Sequence, residues 1–357
     1  MTSGSLTSPF LLAVPTALAA CSAVALVATL VVMRLRAPRQ SAARAARQAA
    51  VRDLLFAALM GEPDEAVAAR ADLGRRHGAA WSVAEQQAFG MLPKIKGHSR
   101  TALVQVLDDK GAAERAVAKT AAWSWVRRCQ GAYELGALGA RTGVPILLPM
   151  LDDSNFVVRR VAVRALGAIG EPASVTPLLQ VAGEEPRLTN DLVFALDHLA
   201  LDAAPALRTE LHRALEQRGG GGRQAALAAT GLGLIGDVGS AALLVRALAS
   251  GRPEVQVAAA EALGRLGVPD ALPALVSALE VDDEAVRLAA VTALGELAAD
   301  QAASALSRWL DSDHHEIGRQ AAASLVRLPS GPQVLAASAS PFAREALAMA
   351  PSPVPGP

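Results

Sequence analysis

Aromatic rings are scarce in this chain: four tryptophans, one tyrosine and six phenylalanines among 357 residues. Sandwiches and barrels are built from β-branched and aromatic strands, so this shortage argues against them. Cysteine is scarcer still. Cys21 and Cys129 are the only two, which excludes a disulfide framework or a Cys-based zinc site. Net charge is missing as well, with 34 basic residues against 34 acidic ones. A protein that neutralises phosphates needs a basic excess, so nucleic acid is not an expected partner. What the chain has in quantity is alanine, about a fifth of all residues by the printed sequence. Alanine favours helices and lets them approach closely, which points to an all-α fold.

The N-terminus carries no charged side chain before Arg34. Residues 10–33, FLLAVPTALAACSAVALVATLVVM, form an apolar run long enough to cross a hydrocarbon core as a helix. Arg34, Arg36, Arg39, Arg44, Arg47 and Arg52 follow, and the first acid is Asp53. This asymmetry predicts a single-pass transmembrane helix in a bacterial plasma membrane, with residues 1–9 outside and the rest on the cytoplasmic face. Leu18-Ala19-Ala20-Cys21 resembles a bacterial lipobox, in which Cys21 would carry lipid. The apolar run continues well past Cys21 into the basic cluster, which favours a retained span. Residues 34–60 read as an Arg-rich helix. Each Arg near an anionic lipid surface would contribute about 1 kcal/mol of adhesion. The plainer reading is that these arginines only set topology. Lipid contact is expected through residues 10–52.

A repeat governs the remainder. Leu135, Leu166, Leu196, Leu232, Leu263, Leu294 and Leu325 follow one another at steps of 31, 30, 36, 31, 31 and 31. The long step contains Gly219–Gly222, a loop insertion. Three residues after each anchor stands an aliphatic side chain, and four before it stands a small one in nearly every case, such as Ala162, Ala228 and Ala290. These spacings share one helix face. Gly139, Gly170, Gly236 and Gly267 come four after the anchor, where a helix must stop. A second helix carries Leu147/Leu151, Leu244/Leu248, Leu275/Leu279 and Leu306/Leu310. No segment alternates with period two, so no strand is predicted. The period of about 31 predicts a stack of helix pairs, an α-solenoid.

Units such as Val158-Arg159-Arg160-Val161-Ala162-Val163-Arg164-Ala165-Leu166-Gly167 and Val286-Arg287-Leu288-Ala289-Ala290-Val291-Thr292-Ala293-Leu294-Gly295 resemble HEAT repeats. They are most similar to the short bacterial HEAT-like kind also found in phycobilin lyases. The resemblance is clear over 125–330 and weaker over 79–124. It implies an α-solenoid with the family's arginine at Arg128, Arg159 and Arg287. Ala225, Gln256 and Gly318 replace that arginine elsewhere, so a continuous charge ladder is not expected. The chain then divides into an external tail (1–9), a transmembrane helix (10–33), a basic juxtamembrane helical region (34–78), the solenoid (79–350) and a Pro-rich disordered tail (351–357). Trp123 and Trp125, in an addition before the Arg128 unit, are expected to pack onto the array.

No catalytic constellation is visible, and no cofactor or metal ligand set either. His314-His315 are adjacent and diverge on a helix; His198 reads as partly buried and His212 as a helix-surface residue. Asp108-Asp109, Asp152-Asp153 and Asp282-Asp283 recur at turns between units, which marks them as structural. Gly219–Gly222 precedes a helix but lacks the G-K-[ST] of a phosphate loop. Gln180, Arg246, Ser277 and Arg308 stand fourteen after their anchors, on the second helices that line the concave side of arrays the chain resembles. They are the candidate partner-binding residues. The expected function is a membrane-anchored, non-enzymatic scaffold for partner proteins. Bacterial anchored HEAT proteins resembling this one are sometimes encoded near membrane glycosyltransferases, so the resemblance implies such an enzyme as one partner. The alternative it implies is a bilin lyase or lyase chaperone.

Overall fold

The computed structural model describes residues 48–217 and 220–349, together with Ser22 and Leu26. The expected span at 10–33 and the tails at 1–9 and 351–357 lie outside the described residues, apart from those two isolated positions. Among the described residues no helix is long and apolar enough to cross a membrane, and no strand occurs. The chain divides into two bodies, Met1–Lys110 and Gly111–Pro357. Residues 79–110, which the periodicity joins to the array, fall in the first.

The described part of the first body is four helices: α1 (48–60), α2 (Pro63–Arg75), α3 (Gly78–Met91) and α4 (Gly97–Asp108). Leu55, Leu73, Phe89, Leu92, Leu103 and Leu107 are its buried core. The α1 helix ends with carbonyls that side chains satisfy: Arg70 Nε donates to Ala58 O (3.0 Å) and Ser99 Oγ to Leu59 O (3.2 Å). Lys110 Nζ lies 5.4 Å from the centre of the Trp81 ring.

The second body begins with α5 (Ala112–Thr120) and then alternates first and second helices. The first helices are α6 (Trp125–Leu138), α8 (Phe156–Ile169), α10 (Thr189–Asp197), α12 (Gly222–Leu234), α14 (Pro253–Leu266), α16 (Glu284–Leu297) and α18 (His315–Val326). Between them lie the second helices α7 (Val144–Leu147), α9 (Val175–Glu184), α11 (Ala204–Glu216), α13 (Ala241–Leu248), α15 (Leu272–Ala278) and α17 (Ala303–Ser307). After α18 come α19 (Gly331–Ala337) and α20 (Pro341–Met349), which packs on α18.

All seven anchor leucines are fully buried, as are the leucine pairs of the second helices. The glycines four residues on take left-handed φ values, 69° at Gly139, 72° at Gly170, 72° at Gly236 and 62° at Gly267. They end the first helix where an L side chain would be strained. A three-residue 3₁₀ turn then leads into each second helix, as at Arg141–Gly143 and Pro172–Ser174. Its last residue is always small and buried: Gly143, Ser174, Ala203, Ser240, Ala271 and Ala302. At Gly143 a Cβ would already lie 3.3 Å from the Leu135 side chain, so the anchor itself limits the size of this position.

Successive first helices meet at a repeated contact. The glycine after each anchor faces the residue before the next anchor. A Cβ on Gly136 would lie 2.7 Å from Ala165 Cα, on Gly167 2.4 Å from Ala195 Cα, on Gly233 2.8 Å from Ala262 Cα, and on Gly264 2.8 Å from Ala293 Cα. On Gly295 it would lie 2.9 Å from Ser324 Cα. The Ser324 hydroxyl crosses that seam to donate to Val291 O at 2.9 Å. At the α10 to α12 seam the order inverts. Asp197 takes the glycine's place, and Gly231 stands before the next anchor, with Leu207 and Leu196 methyls filling the space.

Three first helices lack this glycine, with Ala200, Ala298 and Pro329 in its place, and of these only Ala298 keeps the left-handed exit. Ala298 holds φ 52°, the only positive φ of a non-glycine among the described residues. Two residues later Asp300 Oδ1 accepts the Ser330 N–H at 2.8 Å, fastening this turn to the start of α19.

Two substitutions test these contacts by thermal or urea unfolding. Gly167→Ala presses a methyl against backbone and should destabilise the second body by about 1–3 kcal/mol. Ala298→Gly removes left-handed strain and should stabilise it by about 1 kcal/mol. A neutral Gly167→Ala would refute the seam as a close backbone contact.

Candidate functional site

The two helix layers of the second body carry different surfaces. On the second helices, Gln180 in α9, Arg246 in α13, Ser277 in α15 and Arg308 just after α17 are all exposed. Ser277 Oγ donates to Pro273 O within its own helix at 2.9 Å. Arg308 Nη2 reaches Glu280 Oε1 at 3.0 Å, and both side chains remain largely in solvent. Arg246 Nη1 stands 3.5 Å from His212 Nδ1, and the other nitrogen of that ring lies 3.0 Å from Glu216 Oε1. At the equivalent place on α11 the chain has Glu210. It is buried, and it accepts from Thr176 Oγ1 (2.8 Å) and Arg213. The polar row is thus continuous in register but drawn inward at α11.

The first helices bear a surface that the sequence pattern does not disclose. Trp123 is 98% exposed, and Trp125, Val126, Tyr133, Val157 and Phe194 are exposed too. This corrects the expectation that Trp123 and Trp125 pack onto the array. The inner space is already taken, because a Cβ on Gly131 would lie 2.5 Å from Ala116 O of α5. Arg128 then turns the loop outward. Its Nη1 donates to Trp123 O (2.9 Å), while Nε and Nη2 form a two-point pair with Asp153 (2.7 and 2.9 Å).

The family arginine continues for one more rung. Arg159 Nη1 donates to Asp153 O (2.7 Å) and Nη2 to Glu185 Oε2 (2.8 Å). Beyond it the ladder stops, as the substitutions at later units predict. Gln256 instead donates to Leu248 O at 2.8 Å, and Arg287 lies 3.9 Å from the fully exposed Asp282, over the Trp309 ring. Further out, the buried Asp191 accepts from both Arg160 (Nε, 2.8 Å) and Arg164 (Nε, 2.6 Å). Arg164 also covers the Phe194 ring at 4.9 Å, and His198 packs on that ring at 4.3 Å. His198 is exposed rather than partly buried, its Nδ1 set on Phe194 O at 2.8 Å.

The remaining candidates are structural. His314 Nδ1 faces Glu284 (3.3 Å) while His315 meets the Phe342 ring edge-on, so the two imidazoles diverge. Among the described residues no group of three His, Cys, Asp or Glu side chains could hold a metal. Asp283 caps α16 by accepting the Val286 N–H at 3.0 Å. Beside the glycine loop, Arg252 donates to Ala214 O and Gly220 O, both at 3.1 Å, so a guanidinium occupies the carbonyl side of that turn. Cys129 is half-buried, and burial raises its thiol pKa, which leaves it a poor nucleophile.

A family model described as HEAT repeats matches residues 101–197, 222–286 and 240–327. No curated relative matches the chain. Among solved structures, human deoxyhypusine hydroxylase in complex with glycerol is 19% identical over 80% of this chain and 98% of that one, with a TM-score of 0.31. The CpcE–CpcF complex of phycocyanin lyase from Nostoc is 23% identical over 66% of this chain and 93% of that one, with a TM-score of 0.33. Importin beta is 14% identical over 83% of this chain and 52% of that one, with a TM-score of 0.43.

The ion pairs give a pH signature. Hydrogen bonds from Arg187 and then Arg159 lower Glu185 from the usual 4.5 to about 2. The Arg128 hydrogen bond likewise lowers Asp153. For Asp191, burial pushes upward but the Arg160 and Arg164 hydrogen bonds prevail, and its pKa falls. Depressed acids stabilise the fold above their unfolded pKa, and that contribution is lost as pH falls through the folded value. The unfolding midpoint should hold from neutral pH down to about 4.5 and then drop progressively toward about 2. Circular dichroism melts across that range check it. A midpoint that falls mainly above pH 5 would point to histidines instead.

Proposed function

Because the chain belongs to the HEAT-repeat family, we propose that it is a scaffold holding one or more partner proteins against its second-helix layer. The observation that carries this reading is the exposed row Gln180, Arg246, Ser277 and Arg308, set at one register position on α9, α13 and α15 and just after α17. Stacked repeats form extended binding faces of this kind because each unit repeats its neighbour's orientation. The exposed groups leave donors and acceptors for an extended partner segment, and Glu210, pulled inward with Arg213, sets off the α9 end of the row from the rest. No catalytic step is assigned to the chain.

The finer proposal is that the scaffold works at a bacterial plasma membrane, cytoplasmic face inward, anchored by residues 10–33. The uncharged stretch before Arg34 and the arginine run after it support this reading.

Two experiments test it. A photo-crosslinking residue at Ser277 of the full chain, irradiated in native membranes, should recover one specific protein, and Arg246→Glu with Arg308→Glu should abolish the product. Recovery of none in repeated trials overturns the scaffold. Topology is read separately, in a chain with Cys21 and Cys129 replaced and a single new cysteine from Ser5→Cys or Ser304→Cys. An impermeant thiol reagent on intact cells should label the Ser5→Cys chain only. Labelling of the Ser304→Cys chain would put the array outside the cell.

A further inference from the structure

The outward side of α6, α8 and α10 combines two chemistries at fixed register positions. Nine residues before the anchors lie Val126, Val157 and Arg187, and two before them lie Tyr133, Arg164 and Phe194. Seven residues are two helical turns, so on α6 and α8 both rows share one face, while Arg187 lies in the 3₁₀ turn just before α10. Trp125 begins α6 on this side, and Trp123 stands out before it on the loop that Arg128 clamps. Phe156, the counterpart of Trp125 on α8, is half-buried beneath the Arg159, Arg160 and Arg187 guanidiniums at 5.5, 5.9 and 4.2 Å.

The charge on this face is positive although the chain as a whole is neutral. Glu185 holds both Arg159 and Arg187, and Asp191 holds both Arg160 and Arg164. Each cluster therefore keeps one uncompensated positive charge. Arg127 is exposed and makes no ion pair among the described residues, while Asp197 is the one exposed acid on these three helices. Exposed tryptophan and tyrosine interleaved with arginine suit the boundary between lipid headgroups and acyl chains. There the ring is half-solvated and the guanidinium meets phosphate.

We propose that the α6–α8–α10 face docks on an anionic bilayer surface, laying the first-helix layer on lipid and leaving the second-helix row for the partner. The occupant follows from charge complementarity and from the chain's own N-terminal sequence, in which an apolar stretch at 10–33 and a run of arginines bring a bilayer within reach. The proposal rests on the anchored reading above only for that supply of membrane.

The test uses the full chain with vesicles of phosphatidylcholine and phosphatidylglycerol, some with acyl-chain-brominated lipid, which quenches only indoles in contact with it. One reporter chain keeps Trp123 alone (Trp81→Phe, Trp125→Phe, Trp309→Phe), and the other keeps Trp309 alone. With about one third phosphatidylglycerol, brominated lipid should quench Trp123 emission by roughly half or more and leave Trp309 unchanged. Pure phosphatidylcholine, molar salt, or Arg127→Glu should each cut that quenching at least about twofold. Trp123 emission indifferent to brominated lipid overturns the proposal and returns the face to a protein partner. Equal quenching in pure phosphatidylcholine overturns its anionic part. Neither result bears on the Ser277 crosslink, so the two readings fail separately.

Discussion

The array depends on how closely one first helix can lie on the next. Where the glycine after an anchor faces alanine before the following one, backbone sits on backbone, with no room for a single added carbon. That distance sets the spacing of the anchors. It also sets the room beneath them, because a leucine sealed between two such helices needs a small residue at the 3₁₀ turn that follows. The leucine core, the small turn residues and the left-handed exits thus answer one steric demand. The weak charge ladder, present at two units and absent from the later ones, shows that ion pairs are secondary to it.

The inversion at α10 and α12 shows what the demand permits. It asks for one missing side chain per seam and is indifferent to which helix supplies it. Asp197 is accommodated because Gly231 has moved the vacancy to the other side. The longest step in the anchor series lies between the same two anchors, so the register is restored after an insertion without loss of the leucine core. The same region holds the buried carboxylates Asp191 and Glu210 and their arginines, on opposite layers of the array.

The fold was legible because its information is local and repeated. Leu166, Leu263 and their equivalents are buried for the same reason in every unit, so the pattern exceeds the noise of any one. The small residues at Ser174, Ala203 and Ser240 stand at nearly fixed offsets as well, and a positional tally across units would have found them. The exposed rings were not legible. The outward stance of Trp123 depends on Arg128 choosing its carbonyl, on Asp153 lying across the seam, and on α5 occupying the space an indole would fill. Those are single events joining residues far apart in sequence. The candidate row was readable as a register, but the inward turn of Glu210 was not, since it hangs on Thr176 in a different helix.

Ala298 ties one unit of the array to the next. At Gly170 or Gly267 the chain can leave its helix by local preference alone. At Ala298 local preference opposes the exit, and the turn is instead fastened by Asp300 to Ser330, a residue of the following unit. The α16 unit is therefore completed from downstream. At this one turn, closing the helix exit and docking the following unit are coupled, where glycine exits such as Gly170 and Gly267 need no such partner.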